Sequence, residues 1–272
     1  IYPMYLTIIA SVSEPMDVYN GKVNLLPSGF NLKAYAAVFE SESIWLGYSN
    51  SLFYTVVGTL FNLFLTIPAA YALSKKRMYG RSFLTTVFLI TMYFGGGLIP
   101  WYMNMLMLGL TENFWAYILP GMIAPYNIIL VKTYIESIPA SLEESAVIDG
   151  ASTPKVFTKI ILPLSIPILA TIAIFGAVGN WNSFQDSLLL MNKQTHLYTL
   201  QHRLYVYLNS SSNLGALVSG SGGLSTQAAQ NMLNSRVIKY TVSMVSIIPI
   251  LLVYPFMQRY FVKGIMLGAV KG

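Results

Sequence analysis

The sequence contains no cysteine, and only 10% of its 272 residues are charged. Without cysteine, a disulfide framework and a thiolate metal site are both excluded, and the redox compartment is left open. Soluble domains carry about 25% charged residues. A chain that is 55% hydrophobic and so poor in charge is therefore suited to lipid rather than to water.

Five apolar runs are long enough to cross a bilayer, which takes about 20 mostly apolar residues in a helix. They are 46–73, 83–108, 114–135, 166–191 and 237–261. Residues 1–12 are apolar but too short to span, and because the sequence does not open with Met we expect them to be the second half of a helix. A signal peptide cannot be judged for the same reason.

These runs predict an all-α polytopic membrane protein, with six transmembrane helices of which the first is truncated, in a single domain over 1–272. A soluble protein with buried core helices is disfavoured because the runs are long and separated by short polar turns. A β-barrel is disfavoured because the runs show no period-2 alternation.

Basic residues indicate the orientation. Lys75, Lys76, Arg77 and Arg81 crowd the short connection after the second helix, and short loops rich in Lys and Arg stay in the cytoplasm. Helix alternation then places both termini inside, where ten Lys and Arg face four Asp and Glu, a net charge of +6, while the outer segments sum to zero. The whole positive excess thus falls on one side.

The same alternation makes 13–45 and 192–235 the two sizeable outer loops. The second is rich in Ser and Gly at 210–215 and 219–223, which favours a flexible connection over a packed one. It also contains His196 and His202, which lack the neighbouring Cys or carboxylates of a metal site. We expect both histidines at the loop surface.

The sequence of one inner connection, 139–163, predicts two short helices joined by a bend. Ser141 followed three residues later by Glu144 matches a capping box, so a short helix should begin there. Gly150 can adopt the left-handed conformation that ends a helix without steric cost. Thr153 then offers an N-cap oxygen and Pro154 suits the first helical position of a second helix.

That second helix should run to Leu162, with Pro163 ending it and opening the fifth spanning helix. Two short helices bent at a glycine make a rigid projection, whereas a simple connection needs only a few residues. A pair of helices lying flat on the lipid headgroups is an equally good interpretation, because Lys155 and Lys159 would suit that position.

The run Glu144-Ser145-Ala146, Gly150 and Ile160-x-Leu162-Pro163 resembles the signature loop of permease subunits in bacterial ATP-binding-cassette (ABC) importers. It departs from that pattern at Ser145, where the family usually has Ala. The resemblance implies that the loop docks into a groove on a separate ATPase, with Glu144 as the charged contact and Gly150 as the bend. The implied coupling residues are Glu143, Glu144, Ser145, Ala146, Asp149, Gly150, Ala151 and Phe157.

Further motifs are similar to the carbohydrate-uptake branch of this family, and most similar to the second permease of its maltose-type systems. They are Asn50-Ser51, Ala69-Ala70-Tyr71-Ala72, Ile138-Pro139 and Trp181-Asn182-Ser183-Phe184. The C-terminal stretch 254–272 resembles a narrower subgroup that handles complex oligosaccharides and includes alginate importers. The resemblance implies the transmembrane domain of a type I ABC importer that carries an oligosaccharide, alginate or another polysaccharide fragment, across the bacterial inner membrane.

No G-x-x-x-x-G-K-[ST] motif is present, so the chain should not hydrolyse ATP itself. The implied partners are a second homologous permease, two ATPase subunits that hold ATP and Mg, an extracytoplasmic solute-binding protein and the lipid bilayer, but no nucleic acid. The chain itself should need no cofactor. The alternatives are an ABC permease for a non-sugar solute, an ion-coupled transporter or a channel, although no carboxylate is evident near a helix midplane.

Polar and aromatic residues in the fourth and fifth helices are candidates for a sugar path, because polar groups inside membrane helices usually face a cavity or another helix. They are Tyr126, Asn127, Asn180, Trp181, Asn182, Gln185 and Asp186. Amides also bond between helices and Trp also anchors at the interface, so a structural role competes for each. Gly95-Gly96-Gly97 with Pro100 in the third helix, and Pro120 with Pro125 in the fourth, should kink or break those helices. An anionic substrate would favour outer cations such as Lys193 and Arg203, but the neutral outer charge gives it no clear support.

Overall fold

A computed structural model of the chain describes residues 2–219 and 237–255, with the side chains of 210–219 left out. This part is helical and contains no strand. The helices are α1 Tyr2–Ser11, α2 Pro15–Tyr19, α3 Lys33–Glu40, α4 Glu42–Ser74, α5 Arg81–Tyr93, α6 Leu98–Met107, α7 Trp115–Ile118, α8 Pro125–Ser137, α9 Ala140–Ile148, α10 Thr153–Val156, α11 Leu162–Leu164, α12 Ile166–Asn182, α13 Gln185–Leu190, α14 Leu200–Ser219 and α15 Val237–Pro255. The chain divides into two compact units, the first being 1–52 with 182–253 and the second 53–181 with 254–272.

Two helices, α4 with 33 residues and α15 with 19, are each long and apolar enough to cross a membrane alone. Three pairs reach that length only together, and each pair is bent. The bends are 117° between α5 and α6, 45° between Trp115–Gly121 and α8, and 72° between Thr153–Leu164 and α12. Counting each bent pair as one span gives five among the described residues, at the positions of the five predicted runs.

The breaks occur where glycine and proline predict them. The third span stops at Tyr93 and resumes at Leu98, and Gly97 has φ +84°, a left-handed value that only glycine adopts freely. In the fourth span, Pro125 is the first residue of α8, where its missing N–H costs no hydrogen bond. The predicted kinks in both spans are confirmed.

The fifth span ends earlier than its apolar run suggests. We expected it to continue to Met191, but α12 ends at Asn182 and a separate short helix, α13, begins at Gln185. The Ser183 hydroxyl donates to the Asp186 carboxylate at 3.4 Å. Such local side-chain bonds compete with a continuous helix, and Asp186 in the first turn favours a new helix start.

The second outer loop is also more ordered than its composition suggests. The expectation of a flexible connection is wrong for 210–215, which lie inside the 20-residue α14. Most of the glycine-rich stretch 219–223 lies outside the described residues, as does the C-terminal motif beyond Pro255. Leu200, at the start of α14, is fully buried, so tertiary packing holds the first turn of this helix.

His202 is buried rather than at the loop surface, which corrects the expectation for this residue, whereas His196 is exposed as expected. The His202 ring packs against Tyr198 with centroids 4.0 Å apart, and its Nδ1 shares a 2.8 Å hydrogen bond with the Ser187 hydroxyl. Burial, and then the nearby charge of Arg203, lower the His202 pKa to about 4. The ring is therefore neutral at physiological pH.

Hydrogen bonds from the motif Asn50-Ser51 link α4 to the segment 196–200, which leads into α14. The Asn50 amide donates to the carbonyls of His196 at 2.6 Å and Tyr198 at 3.1 Å. The Ser51 hydroxyl accepts the backbone N–H of Leu200 at 2.8 Å. The Ser51 bond satisfies an N–H at the start of α14 that has no partner within the helix, and the Asn50 bonds satisfy two carbonyls of the segment before it.

The core of the second unit lies where α4, α8, α12 and the connection 139–163 meet. Its buried members are Ala70, Leu73, Ile128, Val131, Ile135, Val156, Ile161 and Ile172. By contrast, α5 has no buried residue. The connection 139–163 is thus part of a packed core, and it is not simply tethered at its two ends.

Candidate coupling loop and substrate path

The first helix of the connection begins one residue before the predicted capping box. Helix α9 starts at Ala140 with Pro139 as its N-cap residue and no side-chain capping bond, so the Ser141–Glu144 box is wrong. Pro139 has φ −56° and ψ 125°, and this fixed geometry sets the entry into the helix. Ser141 consequently lies within the first turn, where its hydroxyl cannot cap.

Gly150 ends this helix as predicted. It has φ +79°, its N–H bonds to the Val147 carbonyl at 3.0 Å, and the Ala151 N–H bonds to the Ala146 carbonyl at 2.9 Å. This pair of bonds is the Schellman motif, which satisfies two of the last carbonyls of a helix. The predicted left-handed bend is confirmed.

The second helix differs at both ends from the prediction. Its N-cap is Ser152, not Thr153, and no side-chain bond caps it. Nor does the helix end at Pro163, because Phe157–Ile161 form a π-helical turn that continues through α11, and the bend comes after Leu164. Pro163 lacks an N–H and its ring crowds the carbonyl four residues earlier, a conflict that the wider π turn accommodates.

Three of the predicted coupling residues face inward. Ala146, Ala151 and Phe157 are partly buried and pack against the core of the second unit. The Phe157 ring lies 4.8 Å from the ring of Tyr71, near the end of α4. These residues hold the loop on the body of the protein, and their side chains are not on its outer face.

A charged contact reinforces this attachment. Lys75, which follows directly after α4, forms an ion pair with Glu143 of α9, and its Nζ lies 4.3 Å from the centroid of the Tyr71 ring. Glu136, near the end of α8, is paired with both Arg81 and Lys132. The basic residues after α4 therefore form ion pairs with the end of α8 and with the first helix of the loop.

The outer face of α9 carries the remaining coupling candidates. Glu144, Ser145, Asp149 and Gly150 are exposed, and Glu144 forms no ion pair with any residue that the structure describes. Two large apolar side chains that our sequence reasoning missed lie beside them, Val147 at 61% exposed and Ile148 at 85%. The sequence did contain a signal for their exposure, because apolar residues on both sides of so short a helix cannot all reach the core.

Of the substrate-path candidates, Asn127 bonds within the protein. Its amide donates to the Asn62 side-chain oxygen at 3.1 Å, and Asn62 in turn donates to the carbonyls of Gly121 and Met122, both at 3.2 Å. Asn62 thus satisfies carbonyls left open by the break in the fourth span. We missed Asn62, although an amide in the middle of a long apolar helix is a recognisable signal.

Asn180 also bonds to α4, because its amide donates to the Thr59 hydroxyl at 3.4 Å. A Cβ added to Gly58 would lie 2.9 Å from the Asn180 amide nitrogen, so glycine permits this close approach of α12 and α4. Trp181 is buried, with 6% of its surface exposed. Tyr126 is 58% exposed and is the candidate in the second unit with the most accessible side chain.

The other three candidates, Asn182, Gln185 and Asp186, belong to the first unit. Asn182 is exposed and accepts a 3.4 Å hydrogen bond from Gln201, and Gln185 is exposed. Burial raises the pKa of Asp186, and the Ser183 hydroxyl partly opposes that shift. Within the described part of the chain, no group of His, Asp and Glu side chains is placed to hold a metal ion.

In its described residues the chain is helical, with apolar spans and a two-helix loop packed on the core of the second unit, as in the transmembrane subunit of an ABC importer. Residues 43–267 match the family described as the binding-protein-dependent transport system inner membrane component, and the chain belongs to this family. It is therefore the non-catalytic permease subunit of an importer in the inner membrane, and it works with an ATPase and a solute-binding protein.

Known relatives match over the whole chain. The polygalacturonan/rhamnogalacturonan transport system permease protein YtcP of Bacillus subtilis is 38% identical over 100% of this chain and 93% of its own length. Protein LplC of the same species is 38% identical over 100% of this chain and 90% of its own. A crystal structure of a bacterial ABC transporter that imports the acidic polysaccharide alginate aligns with a TM-score of 0.83 at 33% identity, covering 96% of this chain and 90% of that one.

Proposed function

We propose that this chain imports an acidic oligosaccharide, one that contains uronate units. Two of the three relatives carry a substrate in their names, polygalacturonan/rhamnogalacturonan and alginate, and both are acidic polysaccharides. That agreement is the observation that supports the proposal. The outer cations do not contribute to it, because the charges of the predicted outer segments sum to zero.

The substrate is tested with the complete transporter, reconstituted with its binding protein. Oligogalacturonate should stimulate ATP hydrolysis, while the same oligosaccharide with its carboxyl groups methyl-esterified should not. The ester is a matched control because it keeps the chain length and hydroxyl groups and removes only the charge. Equal stimulation by both would overturn the acidic class and leave the oligosaccharide class standing.

We further propose that the outer face of α9 docks on the ATPase. Burying one Val or Ile side chain contributes about 1.5–3 kcal/mol, so Val147 and Ile148, at 61% and 85% exposed, supply an apolar contact. Glu144 supplies a charged one beside it. In this proposal Lys75, Tyr71 and the inward-facing side chains transmit the movement of the docked loop to α4.

Gly150 offers a sharp test of this docking. Its φ of +79° strains most other residues, above all β-branched ones, yet nothing lies within 4 Å of an added Cβ. Gly150→Asn should tolerate that backbone and keep uptake coupled to ATP hydrolysis. Gly150→Val should insert into the membrane but lose coupling, because a β-branched residue in the left-handed region distorts the bend.

The pair of variants separates two roles of this glycine. Equal loss of coupling in both would mean that the ATPase occupies the space above Gly150, so that any side chain obstructs docking. Unchanged uptake in Gly150→Val would overturn the docking proposal. Membrane insertion and yield of the folded complex serve as the common control.

The proposed assembly contains a second homologous permease, two ATPase subunits that hold ATP and Mg²⁺, and an extracytoplasmic binding protein, with both termini of this chain in the cytoplasm. The net charge of +6 on the inner segments supports this orientation. A natural sequence without cysteine makes the test direct. Asn20→Cys should react with a membrane-impermeant maleimide in intact cells, and Ser152→Cys only after permeabilisation; the reverse result would invert the topology.

A further inference from the structure

Two of the four cations between α4 and α5 have no counter-ion in the described part of the chain. Lys75 and Arg81 are paired with Glu143 and Glu136. Lys76 and Arg77 are exposed, and no described carboxylate lies within ion-pair distance of either. The connection therefore holds more positive charge than the coupling loop uses.

An open cavity of about 690 Å³ lies at this connection. It is lined by Lys76, Met78, Tyr79, Gly80, Arg81, Ser82 and Phe83, a set that includes two cations, two aromatic side chains and no carboxylate. The cavity also adjoins the start of α5, where backbone N–H groups lack intrahelical partners and the helix carries partial positive charge. Its chemistry therefore favours an anion.

An apolar stripe continues from this cavity along α5. Phe83, Val87 and Ile90 follow at intervals of four and three residues, on one side of the helix, and are 71%, 39% and 51% exposed. The stripe extends about 10 Å at 1.5 Å per residue. Phe83 belongs to both the cavity and the stripe, so the cationic and apolar surfaces are continuous.

We propose that the α4–α5 connection binds an anionic phospholipid. Lys76 and Arg77 hold the phosphate beside the cavity, Tyr79, which is 99% exposed, lies at the headgroup level, and an acyl chain lies along the α5 stripe. Basic pockets next to membrane helices bind anionic headgroups in this way, and Tyr is enriched at the membrane interface. An acidic protein surface would account for the cations but not for the contiguous apolar stripe.

The site is tested by native mass spectrometry of the complete transporter in detergent, titrated with phosphatidylglycerol. Lys76→Gln/Arg77→Gln should weaken its binding about fivefold for each cation removed, or about 25-fold in all. Lys155→Gln/Lys159→Gln is the matched control, because these lysines are also exposed but do not line this cavity. It should bind the lipid as the wild type does.

Three further probes separate the sources of the anion. Phosphatidylcholine should bind weakly to wild type and variant alike. Glycerophosphoglycerol, the headgroup without acyl chains, should bind weakly but lose affinity in Lys76→Gln/Arg77→Gln, whereas Phe83→Ser should weaken the intact lipid only. Inorganic phosphate that competes as strongly as the lipid would overturn the proposal.

Two outcomes with the double variant would also overturn it. One is undiminished binding of phosphatidylglycerol. The other is loss of the ATPase subunits from the complex while lipid binding persists, which would assign the two cations to a protein partner. The thermal midpoint of the variant complex checks that folding is intact in both cases.

Discussion

Removing the charge of Lys75 should loosen the coupling loop without unfolding the protein. Its ammonium group is paired with Glu143 and lies over the Tyr71 ring, and this ring packs on Phe157. One side chain therefore contacts the first helix of the loop directly and the second through Tyr71. Lys75→Met keeps most of the side-chain length and removes the charge, and Glu143→Gln removes the partner.

The size of the effect follows from the exposure of the pair. The side chains of Lys75 and Glu143 are 32% and 25% exposed, so solvent screens the pair and its contribution is about 1 kcal/mol. The contact between the ammonium and the Tyr71 ring adds about 0.5–1 kcal/mol. A total of about 1.5–2 kcal/mol corresponds to a detached population of α9 about 13- to 30-fold larger.

Two measurements check this estimate. Hydrogen exchange of the α9 amides should speed up by that factor in Lys75→Met, and the complete transporter in vesicles should hydrolyse more ATP for each oligosaccharide imported. Lys132→Met is the control, because Lys132 pairs with Glu136 one turn away on the same helix and does not contact α9.

A double-mutant cycle isolates the pair itself. Lys75→Met, Glu143→Gln and the double variant should show a coupling energy of about 1 kcal/mol, so that the double variant is little worse than Lys75→Met alone. Strictly additive effects, with α9 exchange and coupling ratio unchanged in the single variants, would refute the attachment.

Three further predictions follow from buried or exposed side chains. Asn62→Ala should lower the free energy of unfolding in detergent by about 1–3 kcal/mol, because two carbonyls at the break in the fourth span lose their donor; Asn209→Ala, exposed on α14, should change little. The folded pKa of His202, about 4, lies below its unfolded value of about 6.5, so the unfolded chain binds more protons. The free energy of unfolding should therefore fall as the pH drops from 6.5 to 4, by on the order of 3 kcal/mol. His202→Gln should remove this pH dependence from the thermal midpoints. Ile148→Ser should reduce co-purification of the ATPase subunits, whereas unchanged recovery would contradict the apolar contact.

The sequence was most informative where a local backbone requirement decides the structure. Gly150 must adopt a positive φ to end α9, and Gly97 does so where the third span breaks, so both features could be predicted from residue type alone. The same holds for the five apolar runs, because their length and composition are local properties.

The helix caps were less predictable, because two candidate signals compete within a few residues. Pro139 sets the start of α9 and leaves Ser141 inside the first turn. Ser152 occupies the N-cap position for which Thr153 was expected, without a side-chain capping bond. The rigid bend was nevertheless correct, since it depends on Gly150 and on apolar packing rather than on either cap.

His202 illustrates what no local pattern contains. Its surroundings in sequence are polar, yet Tyr198 and Ser187 enclose the ring. The contact with Ser187 joins α13 to α14. This contact depends on the early end of α12, and the length of an apolar run does not show where a helix ends. Burial of a polar residue in a surface-like sequence is a property of the tertiary fold.

The amides of the spanning helices show why composition alone does not define a sugar path. Asn127 and Asn180 are bonded to Asn62 and Thr59 of α4, so they serve contacts between helices, as membrane amides often do. In the second unit this leaves Tyr126, 58% exposed, as the candidate best able to meet a hydroxyl-rich substrate. One tyrosine cannot satisfy the many hydrogen-bonding groups of an oligosaccharide. Exposed Asn182 and Gln185 of the first unit offer further polar groups, and in the assembly that we propose, a second homologous permease would supply the rest.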